Sequence, residues 1–160
     1  MSANAQGIEA LTCAVRGQWP AGAVRVGIDA VAVSNIEESL VSFGERFVQR
    51  MFTPHEVAAA SGSAERLAAR FAAKEAVIKA FDLPQVGVDW RDIELRTDES
   101  GRPSLHLCGR ALAVARASGA ERISVSLAHE NGMALAVVIA AVENKASAQQ
   151  GSAATKTATP

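Results

Sequence analysis

The stretch RFAAKEAVIKA, Arg70 to Ala80, decides how the chain is read. At about 100° per residue it is an amphipathic helix, with Leu67, Phe71, Ile78 and Phe81 on one apolar stripe. Lys74 projects from the middle of that stripe, where a hydrophobic residue belongs. Glu75 and Lys79 share one edge, four residues apart, and Arg70 lies on the opposite edge. A surface helix accommodates these charges in two ordinary ways. Glu75 and Lys79 form a solvated ion pair, and Lys74 runs its alkyl stem over the core to release its ammonium at the rim. A helix lying against a polyphosphate accommodates them in a third way, with Arg70, Lys74 and Lys79 as the cations.

Outward from that helix the pattern is mixed. AVRVGID sets Val24, Val26 and Ile28 on one face of a short strand, and Asp29 ends it on the other. NIEESLVSFGERFVQRMF predicts one helix with Leu40, Phe43 and Phe47 inward. TPHE carries a capping box, with Thr53 as N-cap, Pro54 at the first helical position and Glu56 three residues on. The RFAAKEAVIKA helix is expected to begin near Ala64. DIELRT and SLHLCG flank DESGRP as a hairpin with a longer turn, and GRALAVARASG is a short helix stopped by Gly119. RISVSLAH and MALAVVIAAV are strands joined through Asn131-Gly132, a strong hairpin signal. Helices and strand pairs in runs, without βαβ alternation, predict an α+β fold: a small antiparallel-sheet domain with packed helices.

The 160 residues suit one domain at 23–142, after an extension at 1–22 and before a small, polar tail at 143–160 expected to be disordered. Hydrophobic residues make up 49% of the chain, enough for a core, and a net charge of -1 argues against bulk attraction to nucleic acid. Cys13 and Cys108 have no metal-ligand or CxxC spacing and read as free thiols. No apolar run is long enough to span a membrane, and the N-terminus, with Glu9 and no basic residue before Arg16, lacks a signal-peptide pattern. A soluble cytoplasmic protein is expected.

The polar residues that remain are Asp29 at its strand end, Glu75, the three cations and His129, which shares strand parity with Ile123, Val125 and Leu127. Two carboxylates with open positions suit Mg²⁺, which keeps waters and takes phosphate oxygens. No GxSxG, Cys/His pair or Walker glycine loop supplies a nucleophile. An enzyme of this kind positions a hydroxyl that its substrate brings.

VGID, RFAAKEAVIKAF, DIELRTDESGRPSLHL, VSLAHE and MALAVVIA, in that order from Val24 to Ile139, resemble the holo-acyl-carrier-protein synthase family of 4′-phosphopantetheinyl transferases. The resemblance implies transfer of the phosphopantetheine arm of coenzyme A to a serine of apo acyl carrier protein, releasing adenosine 3′,5′-bisphosphate. It implies Mg²⁺ on Asp29 and Glu75, and Lys79 stabilising charge on the pyrophosphate. It implies a coenzyme A site lined by Arg70, Lys74, Lys79, Pro103 and His129, and a homotrimer with active sites between subunits. On that reading Lys74 faces a phosphate-filled cleft between subunits. The base that takes the serine proton is either a metal-activated water or a carboxylate. Where many members carry an arginine, six residues after the motif aspartate, this chain has Asn35. That leaves Arg46, Arg50 and Arg66 as the candidate contacts for an acidic carrier. The alternative is a non-catalytic relative that binds coenzyme A or the carrier without transfer.

Overall fold

The computed structural model describes residues 23–83 and 87–142. The N-terminal extension and the polar tail lie outside the described residues.

The order is β1 (Ala23–Ala32), α1 (Val33–Phe43), α2 (Glu45–Met51), α3 (Pro54–Ala60), α4 (Ala64–Phe81), a 3₁₀ turn (Trp90–Asp92), β2 (Ile93–Thr97), β3 (Pro103–Leu107), α5 (Gly109–Ala117), β4 (Ala120–Glu130) and β5 (Met133–Val142). One sheet has the order β1-β5-β4, and β2 pairs with β3 in a second. The α+β expectation holds, with antiparallel pairing in both β2–β3 and β4–β5.

Local chemistry places most boundaries. Asn131 and Gly132 both take positive φ, 51° and 73°, and pair Glu130 directly with Met133, the two-residue turn that Asn-Gly favours. Asp98 holds the longer β2–β3 turn by accepting from Ser100 N–H and Arg102 N–H, both at 2.9 Å. Thr53 and Glu56 form the complete capping box of α3, and Ser63 caps α4 by accepting from Arg66 N–H at 3.2 Å.

Three expectations change. β1 does not end at Asp29 but continues to Ala32. The single helix expected through residues 35–52 is two, because Gly44 at φ 54°, ψ −132° breaks the helical path. Phe43, the last residue of α1 before that break, lies exposed, whereas Leu40 and Phe47 pack against the core.

The core lies between α4 and the three-stranded sheet, with α4 against β5 above all. The interface is built from small side chains. Ala68, Ala72, Ala73 and Ala76 of α4, and Ala134, Ala136 and Ala140 of β5, are at most 1% exposed. Small residues on both sides let backbone approach backbone. The approach is tightest at Gly27, where a Cβ would lie 1.8 Å from Ala76 O. Only glycine fits there unless α4 moves. The opposite face of the sheet is open: Val24, Val26 and Ile28, on one face as the alternation predicts, are exposed, as is Ile139 of β5.

Candidate active site

The close packing at Gly27 brings two carboxylates from distant parts of the chain to one place. Asp29, two residues on, shares Gly27's face of β1. It accepts from Lys79 Nζ of α4 at 2.7 Å. Glu75, one turn before Lys79, opens with Asp29 into a single cavity of about 400 Å³. The cavity's other walls are Ala30 and Val31 of β1, Asn35, Ile36 and Ser39 of α1, Phe47 of α2 and Phe71 of α4. The site therefore has one polar end, formed by Asp29 and Glu75, and an apolar flank of Val31, Ile36, Phe47 and Phe71.

The two carboxylates and Lys79 act on one another electrostatically. Burial pushes the Glu75 carboxyl above its ordinary value, and the negative charge of Asp29 pushes it further. Lys79 opposes that shift. Lys79 itself is raised, first by its hydrogen bond to Asp29. Two hard oxygen donors beside open space fit a hydrated Mg²⁺, which keeps several waters and shares its sphere with substrate phosphates. Among the described residues there is no group of three or more His, Cys, Asp or Glu side chains arranged to hold a metal, so a cage of protein ligands is not what this site offers.

Lys74 has a different place from the one the resemblance implies. It does not line the Asp29–Glu75 cavity, nor does it snorkel to the rim. It is fully buried. Its ammonium pairs with Glu56 Oε2 at 2.8 Å and donates to the carbonyls of Trp90, at 3.0 Å, and Ile93. It also sits 5.9 Å from the centre of the Phe52 ring. With every proton directed into the interior, Lys74 has none for a ligand in the cavity.

Arg70 is buried too, donating through Nη1 to Arg66 O at 2.9 Å, and its Nε has no partner among the described residues. His129 is exposed at the end of β4, with Nε2 3.2 Å from Glu65 Oε1 near the start of α4. Pro103 opens β3 opposite Thr97, in the two-stranded sheet. None of these three lines the Asp29–Glu75 cavity. The structure thus brings together Asp29, Glu75 and Lys79 of the expected set, with Asn35 on the adjacent wall. Sequence reasoning missed Gly27, whose signal was a glycine interrupting a strand pattern, and the cavity walls Ile36 and Phe71.

Residues 25–138 match the family model of the 4′-phosphopantetheinyl transferase superfamily. The holo-[acyl-carrier-protein] synthase of Halothermothrix orenii is 40% identical over 117 residues, which cover 71% of this chain and 94% of that protein. The synthase of Dehalococcoides mccartyi is 43% identical over 114 residues, covering 71% and 95%. Among solved structures, a Chronobacterium ammoniagenes ACPS–coenzyme A complex superposes with a TM-score of 0.70 at 30% identity, covering 76% of this chain and 99% of that one. The Helicobacter pylori holo-[acyl-carrier-protein] synthase in complex with coenzyme A gives 0.63 at 28% identity, covering 72% and 98%. The chain belongs to the 4′-phosphopantetheinyl transferase superfamily.

Proposed function

We propose that this chain transfers the 4′-phosphopantetheine arm of coenzyme A to a serine hydroxyl of apo acyl carrier protein at the Asp29–Glu75 cavity, with Mg²⁺ held by those two carboxylates. The observation that carries the reading is the meeting of Asp29, Glu75 and Lys79, from β1 and α4, at one open cavity. The serine oxygen forms a bond to the phosphorus that carries the pantetheine arm. The phosphoanhydride bond breaks, adenosine 3′,5′-bisphosphate leaves with the electron pair, and the serine proton passes to a base, either a water or a carboxylate. When bound, Mg²⁺ supplies positive charge to the pyrophosphate oxygens. Lys79, exposed and tied only to Asp29, is free to exchange that carboxylate for a phosphate oxygen as charge develops on the leaving group. The apolar walls Ile36, Phe47 and Phe71 exclude water from one side of the cavity.

Arg70 and His129 extend the coenzyme A site towards the first half of α4. The unpartnered, buried Nε of Arg70 supports this, because a phosphate oxygen would satisfy it. Pro103 rests on the resemblance alone. The carrier docks beside α2, whose exposed Arg46 and Arg50 flank the cavity wall Phe47, so binding weakens with salt.

The active form is a homotrimer. Its support is the open sheet face, where Val26 and Ile28 are 59% and 57% exposed beside Val24 and Ile139, an apolar patch that a second copy of the chain would cover. Val26→Asp should yield a folded monomer by sedimentation; a variant that still assembles removes that face from the interface. No helix among the described residues is long and apolar enough to cross a membrane.

The test is intact-mass spectrometry of apo acyl carrier protein incubated with this protein, coenzyme A and Mg²⁺, with an EDTA control. A gain of one phosphopantetheine arm that EDTA abolishes is expected. No gain with carriers of several types would overturn the reading and favour a relative that binds without transfer.

A further inference from the structure

The Glu56–Lys74 pair is the most completely satisfied polar group in the described interior, and the proposed chemistry does not use it. Glu56 Oε2 accepts from Thr53 N–H at 2.9 Å and pairs with Lys74, while Oε1 accepts from Leu95 N–H at 3.0 Å. Lys74 in turn holds the carbonyls of Trp90 and Ile93. One ion pair therefore joins α3, α4, the 3₁₀ turn and β2, with both side chains at 0% exposure.

A buried pair of this kind is a weak source of net stability, because desolvation offsets most of the attraction. Its best-attested use is to fix register where packing alone does not. The α4 interface is such a case. Towards β5 it is mostly alanine against alanine, with Val138 the larger side chain at 0% exposure, and such a surface resists a roll of the helix about its axis less than interlocking large side chains do. Adjacent residues on a helix project about 100° apart, so pinning Lys74 to three oxygens also sets the direction of Glu75. A roll of about 20° would swing a carboxylate roughly 6 Å from the axis by about 2 Å, enough to part it from Asp29. The same pair reaches the cavity wall by a second route. It holds the backbone of Trp90, whose ring stacks on Phe71 at 5.3 Å, and Phe71 lines the cavity one turn before Glu75.

We propose that Glu56 and Lys74 are positioning residues for the transfer site: the ion pair sets the roll of α4 that aims Glu75 at Asp29. The proposal rests on the transferase reading above. It is tested with Lys74→Met, Glu56→Gln and the double variant, which leaves no uncompensated buried charge. The readouts are Mn²⁺ affinity by electron paramagnetic resonance in the presence of coenzyme A, kcat, and amide exchange at low temperature as the measure of fold. Folded variants should lose about 10–100-fold in both kcat and Mn²⁺ affinity, the usual effect of removing a group that orients a ligand. The double variant should recover thermal stability without recovering either. A folded double variant with wild-type kcat and Mn²⁺ affinity would overturn the proposal and leave the pair a purely structural one. Glu56→Gln, the mildest change, answers the question if Lys74→Met does not fold. A wild type that neither binds Mn²⁺ nor transfers the arm overturns the transferase reading, and this proposal with it.

Discussion

Two carboxylate–lysine pairs hang from α4 at nearly the same distance, Glu56–Lys74 at 2.8 Å and Asp29–Lys79 at 2.7 Å. In the first, both side chains are fully buried and their other hydrogen bonds all go to backbone. In the second, Lys79 is 52% exposed and Asp29 borders open space. Distance does not separate a closed structural pair from an exchangeable one. Burial and the number of further partners do. The closed pair has no lysine proton to spare and no opening by which a ligand could reach it, whereas the open pair has both.

The comparison breaks most sharply at Lys74. Lys74→Met leaves Glu56 charged and buried, and urea unfolding should show a loss of about 3–5 kcal/mol. A loss below 1 kcal/mol would mean that the pair is not closed. At the open pair the larger effect falls on chemistry. Lys79→Ala should lower kcat about a hundredfold, some 2.7 kcal/mol of transition-state stabilisation, with little change in coenzyme A affinity by steady-state kinetics. Equal losses in binding alone would make Lys79 a ground-state contact. The same variant should change unfolding stability by less than about 1 kcal/mol, as exposed pairs do.

The smallest effect is on the pH dependence of metal-free stability, at Glu75. Its folded pKa is raised, chiefly by burial and then by Asp29. Stability from this group is therefore full below its unfolded pKa and declines as pH rises through the folded value. Metal-free Glu75→Gln should lack that decline and unfold at a slightly higher temperature than wild type at pH 7. A variant that matches wild type at every pH would show that Glu75 carries no such penalty.

Much of this fold was legible in the sequence because its signals are local. The Thr53–Glu56 box, the start of α4 near Ala64 and the Asn131-Gly132 turn each depend on residues within a few positions. Asp29, Glu75 and Lys79 were legible as a set through the family resemblance, and the fold brings them together. Lys74 was misread because its partner lies eighteen residues back, in a helix that the amphipathic pattern of α4 does not encode. Glu56 was read for its local part as a cap, while its second carboxylate oxygen serves β2. The alanine stripe went unnoticed because periodicity weighs large side chains, and the contact here is made by small ones. The exposure of Val26 and Ile28 was equally invisible, since alternation shows that two residues share a face but not which face is covered.

The central claim is that Asp29 of β1 and Glu75 of α4 form the chemical centre of the open cavity. The measurement that tests it most directly is the rate at which wild type and Glu75→Gln add the phosphopantetheine arm to apo acyl carrier protein, read by intact mass with coenzyme A and Mg²⁺. The account predicts transfer by wild type and a rate lower by about a thousandfold in the folded variant, some 4 kcal/mol of lost charge stabilisation. Transfer by Glu75→Gln at the wild-type rate would contradict it.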